Sequence, residues 1–144
     1  KINSKKLYSS EIDNISSIIS SMKELRTQLL KYQRNFAKQY DGSKEYVIIE
    51  GRDIGTVIFP NADYKIFMWA SSFIRAQRRA EQIAKTKKKP NILQIHNSIK
   101  ARDMRDMSRK TAPLVPAVDS YLICTDFSDK EVTFNTILKI ITKE

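Results

Sequence analysis

Apolar residues recur at intervals of three and four along residues 10–39 of the chain. Because this spacing places them on one face of a helix, it predicts two amphipathic helices, a short one ending near Ser20 and a longer one ending near Gln39. Ser21 and Glu24 are spaced as in a capping box and predict the start of the second helix.

Three later segments are continuous apolar runs rich in β-branched and aromatic residues. They are Tyr46–Glu50, Tyr64–Ala70 and Tyr121–Thr125. Each run is too short for a buried helix, and an uninterrupted apolar run is typical of a strand that is covered on both faces. The three runs therefore predict central strands of a sheet.

Helical patterns follow the second run. Ser71 or Ser72 is suited to cap a helix that ends in the basic run 85–89, before Pro90. A further helix, capped by Asn91, is predicted to extend through Arg109.

A terminal helix is predicted to open with a capping box formed by Ser128 and Glu131. Strands that alternate with helices indicate an α/β fold with a parallel sheet flanked by helices. The length of 144 residues suits one domain. We expect this domain to consist of a helical segment, residues 1–44, and a second segment with the sheet and the terminal helix, residues 45–144.

Composition narrows the function classes. The chain has 26 Lys and Arg against 16 Asp and Glu, a net charge of +10, so an anionic partner is expected. One cysteine and one histidine exclude a disulfide framework and paired-histidine metal sites. The longest apolar run, Ile66–Ala70, is far shorter than a membrane span, which predicts a soluble, cytoplasmic protein. None of the three glycines precedes a lysine, so a G-x-x-x-x-G-K-[ST] phosphate loop is absent from these residues.

The segment EGRDIGT, residues 50–56, directly follows the first predicted strand. The carboxyl ends of parallel strands line the ligand crevice of α/β folds, which would deliver Arg52 and Asp53 there. A glycine turn with solvated charges explains the segment equally well. Arg75, Arg78 and Arg79 also follow a predicted strand, and their guanidinium groups suit phosphate oxygens. An exposed helix face remains an equal alternative for them.

A second charged set lies in the predicted fourth helix. Arg102, Arg105, Asp106 and Arg109 share one arc of that helix, and the arc continues the apolar stripe of residues 92–99 instead of opposing it. Because a solvated face should lie opposite the buried side, the set is predicted to face a cleft. The alternative is a surface helix with salt bridges between residues four apart, such as Arg102 with Asp106.

Three single residues have side chains of a type that can take part in chemistry or packing. Cys124 lies inside an apolar run and is interpreted as a small buried hydrophobe, and Trp69 as core. His96 has no neighbouring ligand residue in the sequence.

Five motifs occur in the order and approximate spacing of bacterial cytidylate kinase, the enzyme that phosphorylates CMP and dCMP. They are EGRDIGT, FPNADYKIFMWAS, RAQRR, RDMRDMSR and APLVPA. Each motif is weak alone, but the ordered set is specific, and the match covers nearly all of residues 9–143. The chain thus resembles the carboxyl-terminal part of that family. The resemblance implies a nucleoside monophosphate kinase-like three-layer fold, here incomplete at the amino terminus, with a lid within residues 45–144.

The resemblance also implies substrate contacts by position. Ser17, Arg26 and Asp53 would meet the cytosine edge, and Arg52 would hold the CMP phosphate. Cytosine offers O2 and N3 as acceptors and its amino group as a donor, so an arginine can donate to it while a carboxylate and a hydroxyl accept.

Further implied residues bind sugar and phosphates. The residues that grip the sugar and phosphate of CMP are implied to be Arg102, Asp106 and Arg109. The lid arginines that close over the triphosphate are implied to be Arg75, Arg79 and Arg105. The residues nearest to catalysis would be Arg52, Arg102 and Arg105. ATP with Mg²⁺ would supply the phosphoryl group, and positioning and charge neutralisation would drive the transfer.

The chain departs from the family pattern at Met104 and Met107, where the family usually carries Asp and Arg, and in the lid segment KTKKKPN. No residues correspond to the phosphate loop, and the chain begins with Lys1. We therefore expect a fragment that is inactive alone and, when complete, a monomer that binds CMP, dCMP and ATP but no nucleic acid or membrane. A degenerate non-catalytic relative and a basic nucleic-acid-binding module remain as alternatives.

Overall fold

The computed structural model describes residues 10–40, 46–86 and 89–143. The chain divides into two compact units. Unit 1 comprises Lys1–Pro60 and Met104–Val115, and unit 2 comprises Asn61–Asp103 and Pro116–Glu144. Residues 87 and 88 of the basic run lie outside the described residues. The division of the sequence at residue 44 stays a prediction.

Unit 1 contains the two predicted amino-terminal helices, α1 (Ser10–Ile19) and α2 (Lys23–Lys38). The cap of α2 differs from the prediction, since Met22 occupies that position without a side-chain hydrogen bond. The Ser21 hydroxyl instead donates to the backbone oxygen of Ile18 at 2.7 Å and so closes the preceding helix.

The first predicted strand, Tyr46–Glu50, is wrong. These residues form no strand, and the side chains of Tyr46 and Ile48 are 91% and 93% exposed. A central strand needs hydrogen-bonded neighbours, and no described segment pairs with this run. The chain continues from it into a π-helical turn, Ile54–Ile58, which begins directly after the GRD sequence.

Unit 2 is built on a parallel pair of strands, β1 (Ile66–Trp69) and β2 (Tyr121–Cys124). They pair in register, and the two form the sheet of the described residues. The helices α3 (Ser72–Ala84) and α5 (Lys130–Thr142) belong to unit 2, and α4 (Ile92–Ser108) begins in unit 2 and ends in unit 1. The α/β class with a parallel sheet is therefore confirmed, as expected for a nucleoside monophosphate kinase-like fold.

Two of the predicted helix caps are confirmed. The Ser71 hydroxyl accepts from the backbone nitrogen of Ile74 at 3.4 Å, at the start of α3. The side-chain oxygen of Asn91 accepts from the backbone nitrogen of Gln94 at 3.0 Å, at the start of α4. Both bonds satisfy amide groups that a helix start leaves without intrahelical partners.

The cap of α5 is Asp129, not Ser128. The Asp129 carboxylate accepts from the backbone nitrogen of Val132 at 2.8 Å. The Ser128 hydroxyl lies 3.1 Å from the hydroxyl of buried Thr133, so it forms a side-chain hydrogen bond there instead of capping the helix.

The strands are less buried than predicted. Ile123 is buried, but Trp69 is 48% exposed and Cys124 is exposed, so neither is the core residue that the sequence suggested. A two-stranded sheet offers each strand one hydrogen-bonded neighbour, and side chains that alternate between its faces are not all covered by the described helices. Two small residues of α3, Ala76 and Ala80, are also buried in unit 2.

An ion pair at the amino-terminal end of the sheet joins Lys65 to Asp119. The Lys65 ammonium lies 2.6 Å from the Asp119 carboxylate, and its side chain is only 7% exposed. The hydrogen bond from Lys65 is the main cause that lowers the pKa of Asp119 below its ordinary value.

This pair predicts a pH dependence of stability. The folded pKa of Asp119 is depressed, so its stabilising contribution is present above the unfolded pKa of about 3.9 and is lost as the pH falls through the folded value. Asp119→Asn should therefore be less stable than wild type at neutral pH, and the difference should vanish in acid. Urea unfolding between neutral and acidic pH measures this. Asp63→Asn, at an exposed site of the same unit, is the control. A difference that persists unchanged in acid would contradict the assignment.

Candidate functional site

Asp106 is the most buried charged residue described, with 2% exposure on the last turns of α4. Its carboxylate accepts a hydrogen bond of 3.0 Å from the Ser17 hydroxyl. The Arg52 guanidinium lies at 3.4 Å and the Arg109 guanidinium at 3.7 Å. A buried carboxylate is tolerated only when such groups compensate it, so Asp106 organises the residues around it.

Arg109 is held by contacts on both sides of its guanidinium fork. Its Nε donates to the backbone oxygen of Ala112 at 2.6 Å, and Nη1 donates to the Ser20 hydroxyl at 2.9 Å. Burial lowers the pKa of Arg109 from its ordinary value, with Asp106 opposing the shift. The buried Nη2 atom has no hydrogen-bond partner among the described residues. An arginine in this state presents a directed donor.

Arg26 and Asp53 form a second pair in the same unit. The guanidinium of Arg26 contacts the Asp53 carboxylate through Nη2, and Nη1 donates to the backbone oxygen of Ser20 at 2.9 Å. Both side chains are largely buried. The Arg26 guanidinium, which only donates hydrogen bonds, and the Asp53 carboxylate, which only accepts them, therefore lie side by side. Arg26 belongs to α2, and Asp53 belongs to the segment after Tyr46–Glu50.

The π-helical turn sets the position of Asp53. The Asp53 carbonyl accepts from the backbone nitrogens of Val57 and Ile58 at 2.9 and 3.2 Å. Arg34 of α2 then donates to the carbonyls of Val57 and Ile58, each at 2.9 Å, and ties the turn to that helix. Before the turn, a side chain at Gly51 would place its Cβ 2.8 Å from a side-chain carbon of Ile54, a distance that requires displacement.

These contacts join six of the residues predicted from the sequence with one that was not. We call them the unit 1 polar cluster: Ser17, Ser20, Arg26, Arg52, Asp53, Asp106 and Arg109. The burial of Asp106 contradicts the alternative of a solvated salt-bridge helix. The inward direction is thus confirmed for Asp106 and Arg109, and that they face a cleft stays a prediction.

Similarity to known proteins identifies the family of the chain. A family model described as cytidylate kinase matches residues 1–143. The chain belongs to the cytidylate kinase family. A cytidylate kinase from Magnetococcus marinus is 36% identical over 136 residues, which are 94% of this chain and 58% of that protein. One from Bartonella henselae is 38% identical over 135 residues, 94% of this chain and 61% of that protein. One from Rickettsia rickettsii is 44% identical over 119 residues, 83% of this chain and 52% of that protein. The chain spans about three fifths of the first two relatives' length.

Ser20 is the cluster residue that the sequence analysis missed. Its partners are distant in sequence, since Ser20 and Arg109 are 89 residues apart. Serines also occupy positions 16, 17 and 21, so no pattern distinguishes this one.

The predicted lid arginines of this cytidylate kinase family member occupy different surroundings. Arg105 belongs to unit 1 but is exposed, at the edge of the predicted arc. Its exposure departs from the prediction that the whole set turns inward. Arg102 is half-buried and belongs to unit 2.

The RAQRR arginines are paired within unit 2. Arg75 makes two hydrogen bonds to the Asp103 carboxylate, at 3.1 and 2.5 Å, and its Nε donates to the backbone oxygen of Ala70 at 2.9 Å. Arg78 donates to the Thr125 hydroxyl at 3.1 Å, at the end of β2. These two are not the freely solvated helix face that the sequence left open.

Arg79 is half-buried and contacts Gln82, one turn along α3, at 3.5 Å. The predicted lid role of Arg75 and Arg79 stays a prediction.

Among residues 10–40, 46–86 and 89–143, no helix is long and apolar enough to cross a membrane. Within the same residues, no group of three or more His, Cys, Asp or Glu is arranged to hold a metal ion.

Proposed function

We propose that the protein transfers the γ-phosphoryl group of ATP to CMP or dCMP and so produces CDP or dCDP. Membership of the cytidylate kinase family supports this activity, and the matched relatives bear that name. The observation that carries the proposal is the unit 1 polar cluster, in which three arginines face two aspartates. This excess of positive charge in a largely buried setting favours an anionic ligand.

Cytosine recognition is proposed for Arg26, Asp53 and Ser17. The Arg26 guanidinium has five N–H groups, and its contacts with Ser20 and Asp53 leave donors for O2 and N3 of the base. Asp53 has acceptor capacity beyond its contact with Arg26 and would accept from the amino group. A base with a carbonyl at that position cannot donate, so this pair would discriminate against it.

Phosphate binding is proposed for Arg52 and Arg109. Arg52 is one-third exposed, and Arg109 carries the buried Nη2 donor without a partner among the described residues. Asp106 holds both guanidinium groups on one side. It thereby orients both groups for the phosphate and sugar of the nucleotide. Arg102 is proposed as a further nucleotide contact from the family resemblance.

ATP binding is proposed to involve Arg75, Arg79 and Arg105 as lid arginines. For Arg75 this requires exchange of its Asp103 contacts for phosphate oxygens. Mg²⁺ would enter bound to ATP, as part of the co-substrate. The chain's own residues would orient the two nucleotides and neutralise charge in the transfer. The complete protein is proposed to act as a monomer in the cytoplasm.

The proposal is tested by measuring ADP release from the native full-length protein with MgATP and each of CMP, dCMP, UMP and AMP. CMP and dCMP should support turnover, and AMP should not. Binding of CMP without any turnover would favour the non-catalytic alternative. Tight binding of oligonucleotides with no CMP binding would favour the nucleic-acid module.

Residues 1–144 alone are proposed to be inactive. They lack a G-x-x-x-x-G-K-[ST] sequence, whose amides, lysine and hydroxyl position the γ-phosphate and its magnesium. Purified residues 1–144 should show no CMP-dependent ATP consumption in a coupled assay. CMP phosphorylation by this polypeptide would contradict the expectation.

A further inference from the structure

Ser20 contacts the arginines of both ion pairs in the unit 1 polar cluster, Arg26 with Asp53 and Arg109 with Asp106. Its hydroxyl donates to the backbone oxygen of Ser17 at 2.9 Å and accepts from Nη1 of Arg109 at 2.9 Å. Its backbone oxygen accepts from Nη1 of Arg26 at 2.9 Å. A hydroxyl has one donor and two acceptor lone pairs, so the two side-chain contacts are compatible. The bond to Ser17 orients the hydroxyl, which leaves its lone pairs toward Arg109.

The contact fixes the plane of Arg109. A guanidinium is planar and rigid, so hydrogen bonds at two of its nitrogens determine the direction of the third. The backbone oxygen of Ala112 holds Nε, and the Ser20 hydroxyl holds Nη1. The remaining nitrogen, Nη2, is buried and has no hydrogen-bond partner within the described parts of the chain. Without the Ser20 hydroxyl, the fork would keep its hydrogen bond to Ala112 and its ion pair with Asp106 at 3.7 Å, a distance too long for a hydrogen bond that fixes the direction of Nη1.

We propose that Ser20 is a positioning residue for anion recognition: its hydroxyl holds the Arg109 guanidinium so that Nη2 is directed at the phosphate of the bound nucleoside monophosphate. The inference rests on the proposed function, in which Arg109 contacts the sugar and phosphate of CMP. Ser20 acts through Arg109 and does not itself touch the nucleotide. Its effect is therefore on the phosphate and not on the base, because Arg26 uses the backbone oxygen of Ser20, which any residue supplies.

Ser21 provides a matched control. Its hydroxyl donates to the backbone oxygen of Ile18 at 2.7 Å, the same three-residue bond that Ser20 makes to Ser17. Both serines follow α1, but the contact with Arg109 belongs to Ser20. Comparison of the two variants separates the loss of a helix-ending hydrogen bond from the loss of the arginine contact.

The experiment uses the native full-length protein and calorimetric titration with CMP and with cytidine, which lacks the phosphate. Ser20→Ala should bind CMP about tenfold more weakly, the cost of a net hydrogen bond to a charged group. Cytidine binding should stay as in wild type. Ser20→Thr should restore CMP binding because it keeps the hydroxyl, and Ser21→Ala should match wild type for both ligands. If Ser20→Ala does not fold, Ser20→Cys replaces it, since a thiol is a weak acceptor.

The inference is overturned if Ser20→Ala binds CMP as wild type does, or loses CMP and cytidine affinity equally. It is also overturned if Ser21→Ala shows the same loss, which would indicate a structural effect of the helix end. A wild-type protein that does not bind CMP overturns the proposed function, and this inference with it. Wild-type CMP binding with an unaffected Ser20→Ala overturns the inference alone.

Discussion

Replacement of Asp106 by alanine should lower the free energy of unfolding by about 3 to 5 kcal/mol, the cost of removing one partner from a buried ion pair. The carboxylate is 2% exposed and compensates Arg109, whose side chain is 7% exposed. Its removal leaves that buried guanidinium without its carboxylate. It also leaves the Ser17 hydroxyl without its acceptor.

Equilibrium urea unfolding of Asp106→Ala against wild type measures this loss. Asp63→Ala, which removes an exposed carboxylate, is the control and should change little. Asp106→Asn keeps an oxygen for Ser17 but not the charge, and should fall between the two. A loss of about 1 kcal/mol or less, the range of a surface ion pair, would contradict the organising role of Asp106.

Arg26→Ala and Asp53→Ala should each cost about 1 to 3 kcal/mol of CMP binding, because each removes polar contacts to the cytosine edge and leaves a buried partner unpaired. ATP binding should be nearly unchanged, since neither residue is proposed to contact the triphosphate. Calorimetric titration of the native full-length protein with CMP and with an ATP analogue measures both affinities.

Lys38→Ala is the matched control for Arg26, as it removes an exposed cation from the same helix. The double variant Arg26→Ala with Asp53→Ala should lose less than the sum of the single losses, because the two residues contact each other. Equal losses for CMP and ATP would contradict the proposed role in base selection.

Local patterns in the sequence were sufficient for most elements of the fold. The spacing of apolar residues predicted the helices, and two of the three apolar runs became the parallel strands β1 and β2. The run Tyr46–Glu50 is also apolar and rich in β-branched residues, like the two runs that form strands, but it forms no strand. An apolar run favours an extended backbone, but a strand also requires a neighbouring strand with which to form hydrogen bonds. The local sequence does not show whether such a neighbour is present.

The site also has a part that local sequence patterns predicted and a part that depends on contacts between residues distant in sequence. The position of Asp106 on the inward arc of α4 followed from helical geometry, and its burial confirms it. Its contact with Ser17 joins residues 89 positions apart and could not be derived from spacing. Ser20 likewise could not be predicted from the sequence, because its role depends on its contact with the distant residue Arg109. The pairing of Arg75 with Asp103 was equally hidden, because the two residues lie on different helices.

The π-helical turn Ile54–Ile58 has a consequence for changes in chain length. Its five-residue hydrogen bonds connect the Asp53 and Ile54 carbonyls to the backbone nitrogens of Ile58 and Phe59. A π turn is equivalent to an α-helical turn with one inserted residue, so a single-residue deletion here would convert one into the other. That conversion would rotate Asp53 about the chain axis relative to the end held by Arg34. Insertions and deletions in this segment are therefore expected to disturb the cluster through the backbone, an effect that a substitution at an exposed position does not have.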